Sequence, residues 1–454
     1  MKKTPFNRIV LISISLLLIL VSACQPKEPQ PTQLPAAEAT ETPAPTPEPT
    51  EIPLKSLSIC VGNEPETLYL YGGNSREMWS VLEAIYDGPV DTVNFMPLPV
   101  ILDKIPSLED GDVTIEAVNV SVGQPIVDAN DTVTVLLKGT SFLPSGCGDK
   151  NCAQTWDGSS EVVVDQQKIR FRLLEGLTWS DGESLTVQDS VYSFQLASDP
   201  KTPVNPYYTD RTASYTALNE LEVEWQGLPG YTTRNTSDPF WLPLPEHVLG
   251  ELSAEEVLSA EAATRKPIGW GAYQLESWEA GKEIVLVKNP NYFRAAEGLP
   301  KFDRLRFVFL GPNADSNLKA LEVNECDLVD SSVELSQQLI DIVEKSNLGE
   351  FSAYFAQGPE WEHLDFGIVP ASYDDGYQAG IDRPDWFSDV RMRTAIASCI
   401  DREGIANLHF VNRSAVPASY YAPSHPAFND QLTVIPYDVD AGIALLEEMG
   451  WRDE

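Results

Sequence analysis

Histidine is nearly missing from this 454-residue chain: there are four, His247, His363, His409 and His425. Cysteine is sparse too, with six residues and a single close pair, Cys147 and Cys152. Without a second close pair or a neighbouring histidine, a structural zinc site is disfavoured against a disulfide. Basic side chains are scarce as well, 31 against 68 acidic ones, for a formal net charge of −37. Such a surface repels phosphate backbones and anionic headgroups, which argues against nucleic-acid binding and against a polybasic membrane patch. The acidic excess reads chiefly as the solubilising surface of an exported domain, screened beyond about 8 Å in physiological salt. Attraction of cationic ligands is the weaker reading. No G-x-S-x-G elbow, H-E-x-x-H helix, P-loop or Rossmann glycine fingerprint occurs. With so many carboxylates, chance pairs that imitate glycosidase acids are unavoidable, so none is singled out. Nothing here names a reaction or asks for a cofactor.

What is present is a folding chain: 43% hydrophobic, with 10 Trp, 16 Tyr and 16 Phe, too apolar for disorder. Length alone suggests about three folded units. Lys2, Lys3 and Arg8 precede an apolar run from Ile9 to Val21, which is shorter than the roughly 20 residues a bilayer core requires and reads as a signal peptide. Val21-Ser22-Ala23-Cys24 follows at once and resembles the lipobox of bacterial lipoproteins, with Cys24 as the acylated residue. The alternative is an ordinary signal-peptidase site beside a bystander cysteine. Removing residues 1–23 would take three cations and leave a net charge of −40. Residues 25–53 hold nine Pro, five Thr and five Glu. They read as a disordered tether, extended at about 3.1 Å per residue for a reach on the order of 90 Å.

Outside the cytoplasm the remaining cysteines can pair. Cys147 and Cys152, in a glycine-rich loop, are the best candidates; Cys326 with Cys399 is geometrically allowed without support from the sequence. An odd count, with Cys60, leaves at least one thiol free.

From residue 54 strands and helices are mixed. Ile169, Phe171 and Leu173 alternate with Lys168, Arg170 and Arg172, predicting a half-buried strand over 162–174. Ser180-Asp-Gly-Glu183 makes a turn, and Thr186 with Asp189 predicts a capping box for a helix ending near Ser198, before Asp199-Pro200. Further strands are predicted from Tyr273, over Glu283–Lys288 and over Asp303–Leu310, where Leu305, Phe307 and Phe309 face away from Arg304, Arg306 and Val308. A helix is predicted over Ala314–Val323, and later ones begin at the caps Asp389, Asp401 and Asp438, the last with Gly450 at its C-terminus.

Three of these stretches carry a family resemblance. Lys168-Ile-Arg-Phe-Arg-Leu-Leu-Glu-Gly-Leu-Thr-Trp-Ser-Asp-Gly182, continuing through Leu185 to Phe194, resembles the strand, Trp-Ser-Asp-Gly turn and helix of family 5 solute-binding proteins, the extracytoplasmic receptors of ABC importers. Pro267-Ile-Gly-Trp-Gly-Ala-Tyr273, Trp278, Asn289-Pro-Asn-Tyr292 and Asn324-Glu-Cys-Asp327 are similar to its Gly-x-Gly-Pro-Tyr, Asn-Pro-x-Tyr and Gly-Glu-Ile-Asp segments. Phe387 to Asp401-Arg402, and Pro436-Tyr-Asp438 to Met449-Gly-Trp451, match it again. The departures inside these motifs are mild. The chain stops three residues after Trp451, where the family continues, so it reads as a truncated member.

The resemblance implies an α/β, two-lobed, periplasmic-binding-protein-like fold (type II, cluster C-like) with an inserted smaller domain and an incomplete second lobe. Lobe one would comprise 54–92 and 251–335, the insert 93–250, and lobe two 336–454. It implies a monomeric, lipid-anchored binder of peptides that delivers them to an ABC permease, with no catalytic step. An oligosaccharide or another solute is the alternative within the family, nickel being disfavoured by the few histidines; a secreted hydrolase is the alternative of another class.

For ligand contacts, the resemblance sends Gly62-Asn63-Glu64-Pro65 to the cleft, making Glu64 the first candidate for a cationic group, against a solvated loop carboxylate. Trp270, Tyr273 and Trp361 are candidates for stacking on ligand, weighed against core packing. Trp179 and Phe194 are assigned to the core.

Overall fold

The computed structural model describes residues 54–356, 358, 360–367 and 386–452, all within the unit Pro53–Glu454. The expected signal peptide, Cys24 and tether lie outside the described residues. The first strand, Ser56–Val61, lies inside a five-stranded sheet whose order is Tyr273–Glu279, Glu283–Lys288, Arg304–Phe309, Ser56–Val61 and Leu328–Val329. The last three run parallel, with Ile59 opposite Phe307 and Leu328, and the first two are antiparallel additions. A sheet with a parallel centre is covered on both faces. Leu57, Ile59, Leu305 and Phe307 face the main core, while Cys60 and Val308 form a smaller cluster with Ala320 and Cys326. Val308 therefore departs from the expected solvent side of its strand, because the helix Ala314–Glu322 contributes Ala320 to that side.

Cys326 is bonded to Cys60 across 266 residues, with Cα atoms 5.8 Å apart. This replaces the pairing with Cys399, which is free. The reason is the parallel register that sets Cys60 opposite Val329, three residues beyond Cys326. Cys147 and Cys152 are bonded to each other around a short 3-10 turn.

A second, antiparallel sheet has the order Thr212–Ala217, Glu222–Gly227, Val162–Arg172, Val113–Val120. Ile169, Phe171 and Leu173 are buried, and Arg170 and Arg172 point outward to Glu224 and Glu222 at 3.3 and 2.9 Å. Helix Val187–Ser198 starts with both bonds of the Thr186–Asp189 capping box and stops at Asp199. Trp179 is fully buried; Phe194 is half-buried against Trp241, with ring centroids 4.6 Å apart. One continuous core runs through both sheets, joining Phe171 and Trp225 to Trp270 and Phe307.

The glycines of the Gly269-Trp270-Gly271 motif have a steric cause. A Cβ on Gly269 would sit 2.1 Å from the carbonyl oxygen of Ile85, and one on Gly271 2.5 Å from it. The Gly271 N–H donates to that oxygen at 2.7 Å, so the chain crosses directly over the last turn of helix Arg76–Ile85.

Toward the C-terminus, Asp389, Asp401 and Asp438 cap the helices Val390–Cys399, Arg402–Phe410 and Val439–Glu448. Gly450, at φ +92°, follows the cap residue Met449 rather than ending the helix itself. Among the described residues, no helix is long and apolar enough to cross a membrane.

Candidate ligand-binding site

The site is built from the turn that leaves the first strand. The Gly62 N–H donates to Ser332 Oγ at 3.0 Å, and a Cβ there would approach the Ser332 carbonyl to 2.7 Å, so a larger residue would push the two segments apart. Asn63 Nδ2 donates to Glu77 Oε1 at 3.2 Å, on the first turn of helix Arg76–Ile85. Arg76, on the same turn, donates to the Ser331 carbonyl at 3.3 Å and lies 4.0 Å from Glu360.

Glu64 is the hub. Its Oε1 accepts from Trp278 Nε1 at 2.7 Å and from Arg265 Nη1 at 3.2 Å, and its Oε2 accepts from the Gly281 N–H at 2.7 Å. The Arg265 guanidinium also lies 3.9 Å from the centre of the Trp278 ring. Hydrogen bonds to a charged group contribute roughly 1.5–3 kcal/mol each, so this carboxylate clamps the first turn to the hairpin of Tyr273–Glu279 and Glu283–Lys288. Its side chain is 27% exposed. A cationic ligand group would have to share it with Arg265.

Beside this clamp runs a groove of about 470 Å³, lined by Arg265, Lys266, Ile268, Leu275 and Trp278 among others. Arg265 and Trp278 thus touch both the groove and Glu64. Sequence reasoning used Trp278 only as a motif marker and did not single out Arg265. Their spacing from Glu64, 214 and 201 residues, gives no local signal.

The other candidates lie elsewhere. Trp270 is 1% exposed, packed against Tyr86 and Trp179, with Nε1 donating to the Asp87 carbonyl at 2.8 Å. Tyr273 is 7% exposed and its hydroxyl donates to the Phe302 carbonyl. Both rings are core members, because the close crossing at Gly269 and Gly271 draws this segment under the helix; neither presents a free face to a ligand. Trp361 is 46% exposed and neighbours His363 and Tyr420, at ring distances of 4.3 and 6.3 Å. It belongs to a separate ring cluster. Among the described residues, no group of three or more His, Cys, Asp or Glu is placed to hold a metal.

Residues 151–454 match the family described as bacterial extracellular solute-binding proteins, family 5 Middle. The chain belongs to this family. Relatives of this family 5 chain include a probable deoxycholate-binding periplasmic protein, YgiS, of Escherichia coli, 26% identical over 56% of this chain and 45% of the relative. The periplasmic oligopeptide-binding protein OppA of the same organism is 24% identical over 66% of this chain and 51% of its own length. The chain spans about half the length of these relatives. Among solved structures, the substrate-binding protein CtaP of Listeria monocytogenes superposes with a TM-score of 0.56 at 18% identity, covering 87% of this chain and 65% of that one. An oligopeptide-binding protein of Thermus thermophilus, complexed with a pentapeptide, gives 0.53 at 19%, covering 88% and 64%. The family 5 fold is therefore the architecture described above.

Proposed function

We propose that this family 5 protein is the extracytoplasmic substrate-binding component of an ABC importer, capturing di- to oligopeptides as a monomer and handing them to the permease without turnover. The observation that carries this reading is the family match across residues 151–454. OppA and the Bacillus subtilis AppA, both described as oligopeptide-binding, add support for peptides as the solute class. Residues 336–454 would supply the second lobe, and Trp361 a stacking contact from it. Ligand contacts made only in the closed form would shift a hinge equilibrium; moving it from 1:99 to 99:1 takes about 5.5 kcal/mol of differential affinity. Cys24 would carry the lipid anchor, two or more acyl chains sufficing for stable attachment.

Calorimetric titration with di- to pentapeptides tests the reading, and heat on mixing is expected. Silence for peptides with heat from oligosaccharides would move the assignment to a sugar binder, and turnover of either would make it a hydrolase. The description of YgiS favours a second reading, an apolar non-peptide solute, so a bile acid belongs in the same titration. Labelled palmitate should enter the chain and be lost in Cys24→Ser.

A further inference from the structure

The strands Val90–Val93 and Met96–Pro99 form a two-stranded ribbon of their own, with Val93 opposite Met96, so the turn between them is Asn94-Phe95. Both turn residues are left-handed, at φ +50° and +64°. A two-residue hairpin turn of this kind favours Asn followed by Gly. Asn94 fits, but Phe95 sets a Cβ where glycine belongs, and left-handed backbone is costly for a bulky L-residue. Backbone strain persists where the surrounding structure holds it, and it gathers at functional contacts.

The ring of Phe95 shows what the strain secures. Val93, Met96 and Leu98 on the same ribbon are exposed, whereas Phe95 at its tip is half-buried. Its cover comes from far along the chain: the His425 ring, with centroids 5.0 Å apart and planes tilted by 54°. His425 is a prepared seat. The Ala427 N–H donates to its Nδ1 at 3.0 Å, and Tyr421 stacks on it at 4.2 Å with the planes 20° apart. A seat already ordered loses little conformational freedom on contact. The row of rings continues from Tyr421 to Tyr420 at 4.7 Å and from Tyr420 to Trp361 at 6.3 Å. Arg76 and Glu360 also bring the early and late parts of the chain together, at 4.0 Å, but both side chains are exposed and such a pair contributes little. The ring pair is the stronger tie.

We infer that Phe95 is a docking residue: the hairpin tip seats on His425 when the second lobe closes on the first, and this contact, lost in the open form, favours closure. A contact made in one state alone shifts the equilibrium by its own free energy. The inference rests on the reading of residues 336–454 as the second lobe of a substrate-binding component. It goes beyond that reading by naming a contact between protein segments, separate from the ligand, that sets how readily the lobes stay closed.

Single-molecule energy transfer on the full chain tests it, with dyes on the free thiol of Cys399 and on Glu109→Cys, an exposed position of the expected insert. The parent should show a high-transfer and a low-transfer form, and penta-alanine should raise the first. Phe95→Gly should lower the ratio of high to low about three- to tenfold, the worth of an aromatic pair. The Tm should stay about where it is, because glycine accepts the left-handed turn. His425→Ala should lower the ratio as well, and Phe95→Gly made in that background should then change it little, as expected for two halves of one contact. An unchanged ratio in Phe95→Gly, or losses that multiply in the double variant, would overturn docking whatever the peptide does. No response to penta-alanine with the Phe95→Gly shift intact would overturn peptide capture and leave docking standing. One unchanging transfer level in parent and variants alike would overturn both.

Discussion

The indole Nε1 of Trp278 donates to Glu64 Oε1 at 2.7 Å, joining the turn after the first strand to the edge strand of the same sheet. The Gly281 N–H and Arg265 complete the set on the same carboxylate. Removing it strands three donors at once. Glu64→Ala is expected to cost about 2 kcal/mol, since the two partly buried donors, Trp278 and Arg265, each carry a penalty of roughly 1 kcal/mol or more when unmet, while the exposed Gly281 N–H can turn to water. Glu64→Gln, which keeps one acceptor oxygen, should cost less. Urea midpoints of the two variants check the order.

Gly269→Ala should be worse than a typical surface change. Its Cβ would meet the Ile85 carbonyl oxygen at 2.1 Å, a backbone atom with no flexible end to yield. Overpacking of this kind costs about 1–3 kcal/mol, occasionally more. The expected outcome is a clear drop in Tm, whereas Gly281→Ala, where nothing lies within 4 Å, should show only the smaller strain of its positive φ.

The Cys60–Cys326 bond closes a loop of 266 residues. Loops of this size give stabilisation of about 2–5 kcal/mol. Cys60→Ser with Cys326→Ser should lower the unfolding midpoint substantially, and reductant should do the same to the parent. Cys399→Ser, at an exposed free thiol, should leave it unchanged.

Burial pushes the Asp189 carboxyl above its ordinary range, opposed by the N–H groups of Thr186 and Glu246. A carboxyl whose folded pKa is raised costs stability when ionised. The cost is full above the folded value and fades as pH falls through it toward the unfolded value of about 3.9. Asp189→Asn has no such titration. The stability of the parent relative to Asp189→Asn should therefore increase on acidification from neutral to mildly acidic pH, as read from Tm at each pH. A difference that stays constant or shrinks would contradict the assignment.

Much of this was readable from neighbouring residues. Thr186 and Asp189 announce their helix because both halves of a capping box lie within one turn. Asp389, Asp401 and Asp438 do so by a simpler signal, a single carboxylate that accepts from a backbone N–H of the first turn. The alternation of Ile169, Phe171 and Leu173 works because strand side chains switch faces at every residue. Val308 escaped that rule because a helix from later in the chain covers the second face of its strand.

The site was legible only in outline. Glu64 could be singled out only through the resemblance of its turn to the family's first-strand turn, and its engagement by Arg265 and Trp278 could not. Trp270 and Tyr273 could be read either as stacking contacts for a ligand or as core, and the approach of Gly269 and Gly271 to Ile85 goes with their place in the core.

By itself, the sequence determined the local elements, the family motifs and the charge of the surface, all properties that reside in side chains a few positions apart. Only the tertiary structure decided that Cys60 meets Cys326, that Glu64 is a clamp, and that Tyr273–Glu279 is left with an open edge beside a groove. Those facts depend on which distant segments become neighbours, and strand order and register, not spacing along the chain, set that.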